Sequence, residues 1–171
     1  DRMQQGVNIA LVTDAGTPGI SDPGEELVRQ CYEAGILVTS LPGPAACITA
    51  LTLSGLPTRR FCFEAFLPTD KKERQWILEE LKQETRTMIV YEAPHHLVRT
   101  LEELGAALGM ERRLTLCREL TKRYEEAYQA TFAEALQRFE TEEPKGECVI
   151  VIEGRSIEDL KREQQKSWEE M

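Results

Sequence analysis

The sequence predicts an α/β protein built from two α/β units with mainly parallel or mixed sheets. Three observations carry that expectation. Short apolar runs alternate with amphipathic stretches along nearly the whole chain. Gly- and Pro-rich turns close the first two apolar runs. Helix punctuation, with Asp70 and Pro94 at starts and Gly35 and Gly55 at ends, falls where the periodicity changes.

The elements follow in order. "NIALVT" is a short apolar run and reads as a buried strand. "EELVRQCYEAG" places Leu27, Val28, Cys31 and Tyr32 at helical spacing, and Gly35 stops it. "ILVTS" reads as a second strand, and "PGPAACITALTLSG" as a helix packed on small side chains and ended by Gly55 and Pro57. "GLPTRR" is the linker candidate. It divides residues 1–57, the first unit, from residues 58–154, the second unit; residues 155–171 are a charged tail.

In the second unit "FCFEAFL" alternates like a strand. "DKKERQWILEELKQE" is amphipathic, with Trp76, Ile77 and Leu81 on one side and Asp70 as its cap. "TMIVYE" is a buried strand, and "PHHLVRTLEELGAALG" a helix with Pro94 at its first position. "RLTLCRE" is a strand, "TFAEALQRFE" a helix and "GECVIVIEG" a last strand. Strands separated by helices imply mainly parallel pairing. Trp76 is expected in the core, and Trp168 is expected to dock the tail.

Across 171 residues the net charge is −9, which disfavours a nucleic-acid binder that uses its whole surface. Two local cationic stretches remain. One holds Arg59, Arg60, Lys71, Lys72 and Arg74; the other holds Arg112, Arg113, Arg118, Lys122 and Arg123. Each reads equally as solvated element ends or as an RNA-facing patch. The longest apolar runs are too short to span a bilayer, no export leader is visible, and the chain opens as if partway through a domain. Five scattered cysteines without a CxxC pair read as reduced buried thiols, and no metal site is expected.

The turn "TDAGTPGISDPG" lies where an open α/β sheet binds ligands, beyond the carboxyl end of a strand. Its glycines let a ligand approach the backbone, and Asp14, Thr17, Ser21 and Asp22 supply oxygens. GxGxxG, a complete P-loop and GxSxG are all absent. "LPGPAA" is a second turn of similar character. A rim made of both offers backbone groups and carboxylates but no Lys or Arg, which suits a neutral or zwitterionic ligand better than a polyphosphate.

The motifs "VTDAGTPGISDPG", "LPGPAACITALTLSGLP", "FLP", "YEAPHHL", "RELTK" and "PKGECVIVIEG", in that order, resemble the tetrapyrrole methylase superfamily, within it the ribosomal RNA small subunit methyltransferase I branch. The resemblance covers roughly residues 6–154. It implies two α/β domains with a cofactor cleft between them, and transfer of a methyl group from S-adenosylmethionine to the 2′-hydroxyl of a cytidine in 16S rRNA of the small ribosomal subunit. It also implies a cytoplasmic homodimer. Cofactor contacts are implied for Asp14, Gly16, Thr17, Pro18, Ile20, Pro42, Ala45, Ala46 and Ala93. The adenine end is implied near Tyr91 to Ala93, Cys117, Arg118 and Ile152. The family's upstream "PIGN"-like turn has no match here. His96 stands where arginine is usual, and Ala45 where serine is commoner. The alternatives are a methylase of a small tetrapyrrole and a non-catalytic RNA-binding remnant.

Methyl transfer to a ribose hydroxyl is an in-line displacement, so the hydroxyl must be positioned and its proton removed. Asp14 is the first choice to face the sulfonium. Glu92 and His95, at a strand-to-helix junction, and Glu119 and Lys122, in "RELTK", are the catalytic candidates. His95 reads alternatively as a structural hydrogen-bonding residue, and Glu119 with Lys122 as a surface pair across one helical turn.

Overall fold

Five strands form one sheet in the order β1-β2-β5-β3-β4, in a computed structural model that describes residues 1–158, 160–162 and 165. The elements are α1 (Glu25–Glu33), α2 (Ala46–Ser54), β1 (Phe61–Phe66), α3 (Lys71–Leu81), β2 (Thr87–Glu92), α4 (Pro94–Leu108), β3 (Arg113–Arg118), β4 (Glu126–Thr131), α5 (Phe132–Phe139) and β5 (Cys148–Ile152). The chain divides by contacts into residues 1–46 and 47–171. The boundary expected from the sequence lies after residue 57. The observed division falls earlier because α2 is tied to the sheet at both ends. Tyr91 Oη accepts from Cys47 N at 2.8 Å, and Ser54 O accepts from Thr115 Oγ1 and Gln129 Nε2 at 2.9 and 3.0 Å.

The sheet is mixed. Only β1–β2 is parallel; β2–β5, β5–β3 and β3–β4 are antiparallel, so the expected parallel dominance does not hold. The reason is β4. "EAYQAT" alternates between more and less buried positions and returns directly from β3 as a hairpin, where the sequence reading saw only connection. β5 then runs between two strands that both point the other way.

Each strand shows two faces. Met88, Val90, Leu114, Leu116, Ile150 and Ile152 join a core with Leu78, Leu97, Leu101, Leu104 and Phe132 from the helices. That places α3, α4 and α5 on one side. The other face carries Ile89, Val149, Val151 and Cys117, all buried, on the side of α2. Each fully buried Leu or Phe contributes about 2 kcal/mol of transfer free energy. Helix starts follow local chemistry. Asp70 Oδ1 accepts from Lys72 N and Glu73 N, Pro94 opens α4, and Thr131 with Glu134 closes a capping box on α5. Trp76 is not in the core; it is 62 % exposed on the outer face of α3. Trp168 lies outside the described residues, as does much of the charged tail.

Edge strand β1 carries a bulge between Phe63 and Ala65, with Ala65 at φ 53°. The extra residue brings Phe66 back to the face of Phe63, and both rings meet Tyr91 edge-on, with centroids 5.7 and 4.9 Å away.

Residues 1–46 hold a short 3-10 turn, Met3–Gln5, and α1. The expected strands "NIALVT" and "ILVTS" are extended chain in no sheet. An apolar run becomes a strand only when its N–H and C=O groups find a ladder partner, and no described residue in this unit supplies one. Val12, Leu37 and Leu41 are accordingly 81, 94 and 83 % exposed.

Candidate functional site

In the first unit the two Gly/Pro turns touch. Thr17 Oγ1 donates to Pro44 O at 2.8 Å, which ties residues 14–20 to the loop 42–46. Asp14, Gly16 and Ile20 are exposed on this rim, with Thr17 and Pro18 half-buried; Pro42 and Ala46 are exposed and Ala45 half-buried on the facing loop. The path of the first turn demands glycine at one point above all. Gly24, at φ 149°, caps α1, and a Cβ there would sit 2.8 Å from Leu11 Cδ2 and 3.3 Å from Gly19 Cα. The rim carries carboxylate, hydroxyl and backbone groups and no Lys or Arg. It therefore fits a ligand with a compact positive charge, and it offers nothing to neutralise a polyphosphate.

In the second unit, register decides which strand ends share an edge. Glu92 lies opposite Cys148, and Cys148 opposite Arg118. Tyr91–Ala93, Cys117–Arg118 and the start of β5 therefore line one end of the sheet. Ile152 does not join them. It pairs with Met88 and Leu114, four residue rows away and about 13 Å along the strand, and it is fully buried. Because β5 is antiparallel to its neighbours, Gly146 and Glu147 stand at the edge where Ile152 was expected.

Glu92 is 7 % exposed and has both carboxylate oxygens engaged: Oε1 accepts from Ala93 N at 2.8 Å and Oε2 from Thr100 Oγ1 at 2.6 Å. His95 and His96 are exposed on the first turn of α4, their ring centroids 4.1 Å apart. Glu119 and Lys122 lie in the β3–β4 loop and not on a helix; Glu119 and Thr121 take positive φ, 49° and 63°. Glu119 Oε1 accepts from Glu147 N at 2.9 Å, and Lys122 Nζ reaches Glu147 Oε2 at 2.8 Å and Glu119 Oε1 at 3.3 Å. The Glu147 amide, then the Lys122 ammonium, hold the Glu119 carboxyl below its ordinary range; Glu147, then Glu119, raise Lys122. This small network fastens the loop to the start of β5.

Much of the second cationic stretch is occupied within the fold. Arg113 pairs with Glu153, Arg118 with Glu126, and Arg112 donates to the carbonyls of Leu108 and Glu153. Arg123 lies over the Tyr124 ring. In the first stretch Arg74 is half-buried, whereas Arg59, Arg60, Lys71 and Lys72 are exposed. All five cysteines are free thiols. Burial pushes Cys62 up to about 12, and Cys117 and Cys148 up to about 11. A cavity of about 310 Å³ opens at the other end of the sheet, between Ser54–Leu56 and β3–β4. Its Thr115, Gln129 and Arg113 are bonded within the fold.

Thr100 was not singled out in the sequence, although it is a hydroxyl inside the apolar stripe of Leu97, Leu101, Leu104 and Leu108. Arg74 stood there only as one member of the first cationic stretch, with no mark of the partners it meets in the fold.

A family model described as Tetrapyrrole (Corrin/Porphyrin) Methylases matches residues 1–136. The chain is 54 % identical over 158 residues to "Ribosomal RNA small subunit methyltransferase I" of Synechocystis, covering 92 % of this chain and 57 % of that protein. The protein of the same name from Escherichia coli O157:H7 is 49 % identical over 160 residues, covering 92 and 56 %. The chain thus spans little more than half the length of these relatives. Among solved structures, the methyltransferase CobJ aligns with a TM-score of 0.64 at 20 % identity, over 91 % of this chain and 70 % of that one. Uroporphyrin-III C-methyl transferase from Thermus thermophilus, complexed with S-adenyl homocysteine, aligns at 0.58 and 18 %, over 88 and 68 %. These structural likenesses speak to the fold alone.

Proposed function

The chain belongs to the tetrapyrrole (corrin/porphyrin) methylase family, and on that premise we propose that the protein methylates the 2′-hydroxyl of a cytidine in 16S rRNA, using S-adenosylmethionine. The small ribosomal subunit is the partner, the compartment is the cytoplasm, and the working form is a homodimer. The substrate follows the names of relatives 49–54 % identical over 92 % of the chain. The observation that carries the cofactor assignment is the Thr17–Pro44 hydrogen bond, which joins two cation-free turns into one rim.

When bound, S-adenosylmethionine supplies an electrophilic methyl group on a sulfonium. Asp14 is assigned to answer the sulfonium charge, its carboxylate being exposed on the first turn. The backbone of Gly16, Thr17, Pro18 and Ile20, with Pro42, Ala45 and Ala46, shapes the seat for the methionyl part. Ala93, at the carboxyl end of β2, meets the adenine end. The ribose hydroxyl must lose a proton as its oxygen takes the methyl. His95 is assigned to receive it, being exposed on the first turn of α4. Lys122, held by Glu119, orients the ribose or a phosphate.

Two measurements test the reading. Calorimetry with S-adenosylmethionine is expected to give saturable binding that weakens at least tenfold in Asp14→Ala. Transfer of labelled methyl to small ribosomal subunits, by the chain in its full-length context, is expected to place the label on a ribose oxygen. Label on a base, or transfer to a tetrapyrrole and not to subunits, overturns the substrate assignment.

A further inference from the structure

We propose that Arg74 and Thr100 are positioning residues that, with Glu92, clamp the two loops at the carboxyl ends of β1 and β2. Arg74 is the hub. Its side chain is 11 % exposed, and it donates through Nη2 to Thr100 Oγ1 at 2.8 Å, through Nη1 to Pro68 O at 3.3 Å and through Nε to Glu103 Oε2 at 2.5 Å. Pro68 follows β1, and Glu92 ends β2. β1 and β2 are parallel, so both loops leave the same end of the sheet.

The direction of the relay is settled by chemistry. A guanidinium has no acceptor, so Thr100 Oγ1 accepts from Arg74, and its single proton goes to Glu92 Oε2, 2.6 Å away. Glu92 Oε1 in turn accepts the Ala93 amide. The buried carboxylate receives only neutral donors directly, and the cation that balances it stands one hydroxyl away. Arg99 joins through Glu103 at 2.8 Å, giving two cations and two carboxylates in one cluster. Rotating Thr100 or Arg74 away would leave the buried Glu92 carboxylate without its hydroxyl donor or that hydroxyl without its cation, which favours this one arrangement at the buried end of the cluster.

The clamp acts on the residues that do the work. Ala93 is bonded by its own amide to Glu92, and His95 lies two residues on, in the first turn of the helix that this junction starts. With both oxygens taken, Glu92 serves by holding the junction and not by receiving the substrate proton. The assignment rests on the methyltransferase reading for its functional meaning. The geometry on which it stands lies wholly within the second unit.

The test uses Glu92→Gln, Thr100→Val and Arg74→Lys in the whole chain, with hydrogen exchange, S-adenosylhomocysteine affinity and methyl transfer as readouts. Glu92→Gln keeps the shape but presents an amide donor to either the Ala93 N–H or the Arg74-bonded hydroxyl. Arg74→Lys keeps the charge but cannot reach three acceptors in one plane. Exchange is expected to accelerate about tenfold at residues 93–97 and 67–70 in each variant, with β3 and α5 unchanged. Affinity is expected to fall about tenfold, while turnover at saturation stays within about threefold. Unchanged affinity with turnover down a hundredfold or more in Glu92→Gln identifies a general base and overturns the clamp. Faster exchange spread evenly over the sheet, with affinity unchanged, identifies a purely structural cluster and overturns it too. If the unsubstituted chain binds no S-adenosylhomocysteine, the methyltransferase reading fails, and the localised exchange result alone decides the clamp.

Discussion

Tyr91→Phe removes one oxygen and leaves the ring, which takes away the hydrogen bond that holds the start of α2. Tyr91 Oη accepts from Cys47 N at 2.8 Å, in the first turn of α2, where helix amides have no acceptor of their own. Cys47 is buried, so its N–H has little access to water when the hydroxyl is gone. Stranding a buried amide costs about 1–2 kcal/mol, toward the lower end if a water enters. The ring contacts to Phe63 and Phe66 persist, so no cavity term adds to this. With a urea slope of about 2 kcal/mol per molar, the midpoint should fall by roughly 0.5–1 M. The far end of α2 is held independently by Thr115 and Gln129 on Ser54 O. Nine residues span about 13 Å, so Tyr91→Phe and Gln129→Ala should add within about 0.5 kcal/mol. The assay is urea unfolding followed by circular dichroism on the two single variants and the double. A midpoint within about 0.1 M of the parent for Tyr91→Phe would refute the account of how α2 is attached to the sheet.

Two further outcomes are expected. Gly146→Ala places a Cβ 2.5 Å from Glu119 Cγ at a residue with φ 76°, so the β3–β4 loop should detach from β5 at a cost of about 1–2 kcal/mol, read as faster exchange at residues 119–125. The Arg86 side chain, by a hydrogen bond and against some burial, holds the Glu84 carboxyl down from 4.5 to about 2. A depressed folded-state value means that this contribution is whole above pH 4.5 and lost as pH falls through 2. Melting temperatures should therefore drop across that window, and Glu84→Gln should flatten part of the drop.

The helices of the second unit could be read because their signals are local. Asp70, Pro94 and Gly55 mark boundaries through the backbone beside them, and the stripe of Leu97, Leu101, Leu104 and Leu108 repeats at the helical period. The first Gly/Pro turn was legible for the same reason, since glycine, proline and aspartate at residues 14–24 act on their own backbone. β4 was missed because Ala127 and Gln129 blur its alternation, and its strand character comes from pairing with β3. Trp76 was misplaced because a side chain at helical spacing can face either way until the helix has docked.

The site divides along the same line. Asp14, Gly16 and Thr17 could be named from a motif, but their link to the second turn through Pro44 joins residues 27 positions apart. Glu92 carried no mark of its commitment, because its partner Thr100 answers to Arg74 on another helix. The exclusion of Ile152 from the sheet end shared by Tyr91 and Arg118 follows from one antiparallel register, which no local pattern encodes.

By itself, then, the sequence determined where the chain turns and which stretches are helical, since these depend on bonds and contacts within a few residues. Only the tertiary structure decided the strand order and direction, which strand ends share an edge, and which carboxylates are held by partners. Those choices are made by hydrogen bonds and burial between segments far apart in the chain, and the free energy of such contacts exists only once the segments have met.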